Sequence, residues 1–132
     1  MNRFAVIGLD HRHVYEMTEE LIAAGMACAG YWPETSDPRV LAGFRKRFPG
    51  IAAVADRDAL LEDRSIDAIV IGASPRDRAA LAVTAMRNGK DVMSDKPGVT
   101  TLAQLADLER VVAETGRIFS ICFSERFQVP AV

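Results

Sequence analysis

The sequence predicts an α/β fold, a doubly wound and mostly parallel six-stranded sheet with helices on both faces. Three observations predict it. Short apolar runs alternate with amphipathic stretches along the whole chain. The runs are nearly uninterrupted, as strands covered on both faces must be. No internal repeat, low-complexity tract or linker divides the 132 residues, so one domain of strands joined through helices accounts for them.

The elements follow in order. "RFAVIG" (3–8) is the first strand, and residues 12–24 form a helix with Met17, Leu21 and Ile22 on one side. "MACAGYW" (26–32) is the second strand. The helix at 38–48 opens on "SDP", where Ser36 or Asp37 caps and Pro38 sits in the first turn. "IAAVA" (51–55) is a third strand, followed by a short helix at 56–63 capped by Asp56. "IDAIVIG" (66–72) is the fourth. Ser74-Pro75 then starts a helix that runs to about Asn88, and Gly89 stops it. "KDVMS" (90–94) is the fifth. Thr101 and Gln104 have capping-box spacing for a helix ending before Gly116, and "RIFSICF" (117–123) is the sixth strand. The expected order is 3-2-1-4-5-6, that of dinucleotide-binding sheets. A flavodoxin-like order of five strands is the rival, and the sixth strand argues against it.

Composition narrows the function. Hydrophobic residues make up 49% and charged residues 26%, and 16 basic against 18 acidic residues leave a net charge of −2. No basic stripe marks a nucleic-acid partner. No run approaches the roughly 20 apolar residues of a membrane span, and the apolar start is too short for a signal peptide. A cytoplasmic location is expected. Cys28 and Cys122 lie in apolar runs, which reads as buried thiols in a reducing compartment rather than a disulfide or redox pair.

The chemistry starts at "VIGLDHRH", residues 6–13. In a parallel sheet the first strand-to-helix turn is where a ligand sits, because free amides and the helix dipole favour an anion there. Gly8 suits the tight turn, and the amides of His11 and Arg12 are natural pyrophosphate donors. The other two glycine positions of a Gly-x-Gly-x-x-Gly loop hold Asp10 and His13. An ionised Asp10 would crowd and repel phosphates unless it turns inward as a helix cap, and His13 would hold the helix farther from the sheet. A capped first helix without any ligand is the plain alternative. Asp10, His11 and His13 also suggest a metal, but three ligands within four residues rarely face one ion, so no metal site is expected. At the end of the second strand Glu34 is the candidate for a ribose 2′-hydroxyl, favouring NAD, while Arg39 argues for NADP.

The second half carries a resemblance. "IDAIVIGASP" (66–75), "GKDVMSDKP" (89–97) and "SERFQVP" (124–130) together resemble the glucose–fructose oxidoreductase and inositol dehydrogenase (Gfo/Idh/MocA) family of NAD(P)-dependent oxidoreductases. Arg78 stands where members often have His, and Asp95 replaces the Glu of a Glu-Lys-Pro motif. The resemblance implies a Rossmann-type domain over 1–123, binding NAD or NADP through the Gly8 loop, Ala73, Ser74, Pro75, Asp95, Lys96, Pro97 and Arg126. It implies a catalytic role for Lys96, often with a cis bond to the following Pro. Residues 124–132 would begin the connection to a C-terminal domain. In the family that second domain supplies the substrate contacts, the usual catalytic His and the oligomer interface, so a homo-oligomer acting on a sugar, polyol or similar small hydroxyl compound is implied. Catalysis by these residues alone is not expected. The other reading is a non-catalytic nucleotide-binding or interaction module with a degenerate glycine loop.

Overall fold

The computed structural model describes residues 2–122. Expectations that fall on 123–132, among them Arg126 and the connection at 124–132, lie outside the described residues, as does the side chain of Cys122.

The described chain forms one parallel sheet of β1 (Arg3–Ile7), β2 (Ala27–Trp32), β3 (Ala68–Ile71), β4 (Asp91–Asp95) and β5 (Phe119–Cys122), in the order β2-β1-β3-β4-β5. The expected six strands are therefore five. Residues 51–55 contribute only an isolated parallel bridge between Tyr31 and Ala53. This segment is alanine-rich, and Ala52, Ala53 and Ala55 are exposed, so it buries too little to hold a ladder on an outer edge. Tyr31 pairs with Val6 on one side and Ala53 on the other, so the bridge lies outside β2, where the third strand was expected.

Alternate residues of each strand face opposite layers. Ala5, Ile7, Ile69 and Ile71 pack with α3 (Arg57–Glu62), α4 (Pro75–Arg87) and α5 (Leu102–Thr115), while Phe4, Val6 and Val70 pack with α1 (His13–Ala23) and α2 (Pro38–Arg47). Sequence signals hold at most helix ends. Asp37 accepts from the Arg39 amide, Asp56 from the Asp58 amide and Thr101 from the Gln104 amide, and Gly116 closes α5 at φ 70°. Three details differ. Ser74 occupies the N-cap position of α4 without a side-chain cap bond. Gln104 Oε1 accepts from the amide of Thr100, not from that of Thr101 as a capping box would have it. Ile22 is 42% exposed, because the buried face of α1 is made by its first two turns through Val14, Tyr15, Met17 and Thr18. Among the described residues no helix is long and apolar enough to cross a membrane.

Cys28, on β2, is half-buried, and burial pushes its thiol from 9.0 up to about 11. The neutral thiol is thus the form the fold favours. Its contribution to stability is full below pH 9 and is lost as pH rises through the folded value. At pH 8 the thiolate population is about a hundredfold below that of an unfolded cysteine. In a Cys122→Ser background, a thiol-specific reagent at pH 8 should therefore label the native chain far more slowly than the urea-unfolded one. Equal rates would contradict the burial.

Candidate functional site

The site is built where the sheet changes direction, since β1 leads to β2 on one side and has β3 on the other. Gly8 leaves β1 at φ 88°, and a Cβ there would lie 2.5 Å from Cα of Ala73, in the turn after β3. Gly72 meets the same turn from the other side, because a Cβ on it would come within 2.7 Å of the Gly8 carbonyl oxygen and 3.2 Å of Val14 Cγ2. Close approach of Val14 at the start of α1 to the strand ends is therefore accommodated at Gly72.

The backbone donors of the loop can be counted. Gly8 donates to Trp32 at 3.1 Å, Leu9 to the Glu34 carbonyl at 2.7 Å, and Asp10 to Gly72 at 2.7 Å. The His13 amide donates to Nδ1 of His11 at 3.3 Å. Among the described residues, the amides of His11 and Arg12 have no acceptor, and Arg12 at the N-cap position of α1 gives no side-chain cap. Asp10 does not cap this helix. Its Oδ1 accepts from the Ser36 amide at 3.0 Å and from the Ser36 hydroxyl, which ties the loop to the β2–α2 connection. The carboxylate is committed there because Ser36 offers two donors, whereas the start of α1 is reached first by the His11 ring.

The second wall is the turn after β4. The Lys96–Pro97 bond is cis, as the resemblance implied. Asp95 is 2% exposed, and its Oδ1 accepts from the Lys96 amide at 2.9 Å and lies 3.1 Å from Nδ1 of His13. Arg78, also 2% exposed, reaches this turn from α4. It donates to the carbonyls of Ala73 (2.8 Å), Asp95 (3.2 Å) and Pro97 (3.1 Å), with Asp95 Oδ2 3.9 Å away. Burial lowers the pKa of this guanidinium, opposed by the nearby charges of Asp95 and Asp10.

The expected residues are thus largely assembled. Asp10, His11, His13, Pro75, Arg78, Asp95 and Lys96 line one hollow of about 250 Å³, with Lys96 half-buried. Ala73 is buried beneath Gly8, and Ser74 is half-buried at the corner. A larger, charged groove of about 660 Å³ opens between α1 and α2, where Arg12, Asp37 and Arg39 meet. Glu34 stands apart from both, exposed, holding the loop by its carbonyl rather than its carboxylate. Sequence reasoning missed Ser36, Gly72 and the position of Arg78. The last had a signal, since an arginine at 78 interrupts the stripe of Leu81, Ala82, Ala85 and Met86 on α4.

Known proteins share this arrangement of elements. The crystal structure of a "putative oxidoreductase" from Erwinia carotovora atroseptica SCRI1043 superposes with a TM-score of 0.88 at 44% identity, covering 95% of this chain and 37% of that one. The chain is 32% identical over 80 residues to the uncharacterized oxidoreductase YdgJ of Escherichia coli (strain K12), covering 61% of this chain and 23% of that protein. It is 27% identical over 130 residues to the inositol 2-dehydrogenase of Rhodococcus jostii (strain RHA1), covering 95% and 34%. The chain thus spans about a quarter to a third of the length of these two relatives. Residues 34–123 match the family model described as oxidoreductase family, NAD-binding Rossmann fold. That match covers more than half of the chain, from the end of β2 to the end of β5, and the chain belongs to the Gfo/Idh/MocA oxidoreductase family as its NAD-binding Rossmann domain.

Proposed function

We propose that this chain is the cofactor-holding part of an NAD(P)-dependent dehydrogenase acting on a sugar, polyol or similar hydroxyl compound, with the substrate contacts and the subunit interface supplied by the rest of a longer protein. The observation that carries the reading is the convergence of the Gly8 turn, the Ala73–Pro75 corner and the Asp95–Lys96–Pro97 turn around one hollow. A dinucleotide fits these residues. Two unsatisfied amides at the start of an 11-residue helix offer an anion its donors. Asp10, which would repel phosphate, has its carboxylate engaged by Ser36. The bound nicotinamide would supply the hydride acceptor or donor. Lys96 would orient the nicotinamide ribose and hold a proton near the substrate oxygen. Glu34, Ser74 and Arg126 are further contacts of this proposal, as is the choice between NAD and NADP that Glu34 and Arg39 pull in opposite directions.

The identity of the inositol dehydrogenase and oxidoreductase relatives supports the dehydrogenase reading, as does the family match. The test uses Trp32, the single tryptophan, at the end of β2 beside the loop. NADH or NADPH is expected to quench its emission saturably, with sensitised emission from the reduced nicotinamide. Lys96→Ala should weaken binding in this chain. In the full-length enzyme it should slow hydride transfer by about 10²–10⁴-fold, the range typical of a positioned acid or base. Absence of any signal at millimolar NADH and NADPH would leave the interaction-module reading in place.

A further inference from the structure

The loop after β1 places two imidazoles, His13 at a glycine position of the pattern and His11 between the glycine positions, near a buried carboxylate. His11 and His13 flank the start of α1, with ring centroids 4.2 Å apart. One donor atom from each of His11, His13 and Asp95 lies within 4.8 Å of the others. We propose that these three side chains form a binding site for a divalent transition-metal ion, with zinc as the best match.

The donor set points to that class. Two imidazoles and one carboxylate suit zinc, cobalt or nickel, whereas magnesium and calcium take oxygen ligands. The separation agrees as well. His13 Nδ1 and Asp95 Oδ1 are 3.1 Å apart, and two donors at tetrahedral or octahedral angles around an ion with bonds of about 2.1 Å stand roughly 3.0–3.4 Å apart. An ion can therefore replace the proton between them with little change in their separation, the imidazole turning to aim Nδ1 at the ion and its proton passing to Nε2 of the same ring. The carboxylate is held in advance, because the Lys96 amide fixes Oδ1 and Arg78 approaches the other oxygen, Oδ2. Such outer contacts orient a ligand and keep it from turning away.

The local charge sets a limit on affinity. Arg78 and Lys96 line the same hollow and repel a cation, and Asp10 on that wall offsets part of this. Asp10 is not a ligand, because Ser36 holds it. Three protein ligands leave one or more positions open toward the hollow, as in zinc sites that accept an exogenous group. Sequence order suggests Asp10, His11 and His13 and argues against a metal, because three ligands within four residues rarely face one ion. Here the third ligand is instead Asp95 on β4, 82 positions beyond His13.

The experiment is run on the tag-free chain, stripped with chelator and without nucleotide. Zinc is titrated calorimetrically and cobalt by its visible absorption. One saturable equivalent is expected, with cobalt bands of a low-coordinate nitrogen–oxygen site. His11→Ala and His13→Gln should each weaken zinc at least about tenfold, since loss of even an outer-sphere partner costs that much. His11 is exposed and outside the helix, so its variant loses only the 3.3 Å bond from the His13 amide and should remain folded, with a thermal transition close to the parent's. Glu16→Gln, an exposed change on the same helix, should leave zinc affinity unaltered. Absence of saturable binding at millimolar zinc overturns the proposal, and so does parental affinity in either histidine variant.

Discussion

Gly8→Ala is expected to lose about 2–5 kcal/mol of unfolding free energy, from about 1–2 for an L-residue in left-handed geometry and 1–3 for overpacking. The two costs have separate origins at this position. The backbone sits at φ 88°, and the added Cβ would lie 2.5, 2.7 and 2.8 Å from Cα, N and Cβ of Ala73. Those are atoms at or next to the main chain of a buried turn, which cannot rotate aside as a long side chain would. A domain whose whole stability is about 5–15 kcal/mol would be left marginal. Gly25 is the matched control, with φ 98° and nothing within 4 Å of a built Cβ, so Gly25→Ala carries only the backbone cost. Urea unfolding of both variants separates the effects. Equal losses at the two positions would mean that β1 and the Ala73 turn do not touch, and the cofactor site as described would have no floor.

This contact also shows what the sequence could and could not disclose. Gly8 was legible because a glycine following "FAVI" and preceding a polar helix start has a local reason to be there. Most strands and caps were legible for the same reason, since each rests on residues a few positions apart, whereas the Lys96–Pro97 turn was legible only through the family resemblance. The 51–55 segment was misread because its apolar composition is that of a strand, while strand formation there depends on having a covered neighbour, a tertiary matter. Asp10 was read against the helix next to it. Its partner proved to be Ser36, on a loop that only the folded sheet brings near. Likewise two departures with no evident connection in the sequence, histidine for glycine at 13 and aspartate for glutamate at 95, meet at 3.1 Å. Their relation is spatial, across the end of β3, and has no trace in spacing.

Arg78→Met should cost about 3–5 kcal/mol, the range for removing one partner from a buried ionic contact. Methionine restores much of the volume, so the loss measures polar bonding rather than a cavity. Three carbonyls, those of Ala73, Asp95 and Pro97, lose their shared donor, and the buried Asp95 carboxylate loses its nearby cation. The Asp95 carbonyl keeps the Ser94 hydroxyl at 3.0 Å. An acceptor left without a donor is worth about 1–3 kcal/mol where water cannot replace it, and water entering the hollow beside Pro97 should recover part of that. Arg78→Lys keeps the charge but lacks the planar fork, so it cannot bond the turns after β3 and β4 together and should recover only a fraction of the loss. Arg76→Met, two residues earlier with an exposed side chain and only a 3.8 Å contact to Asp77, should change stability by less than about 0.5 kcal/mol. The functional consequence follows from the same bonds. With the strut gone the Asp95–Lys96–Pro97 turn is released from the Ala73 corner, so NADH affinity should fall in Arg78→Met even at temperatures where the domain remains folded. A variant as stable as the parent and binding nucleotide as tightly would show that the two turns are held together by something other than this guanidinium.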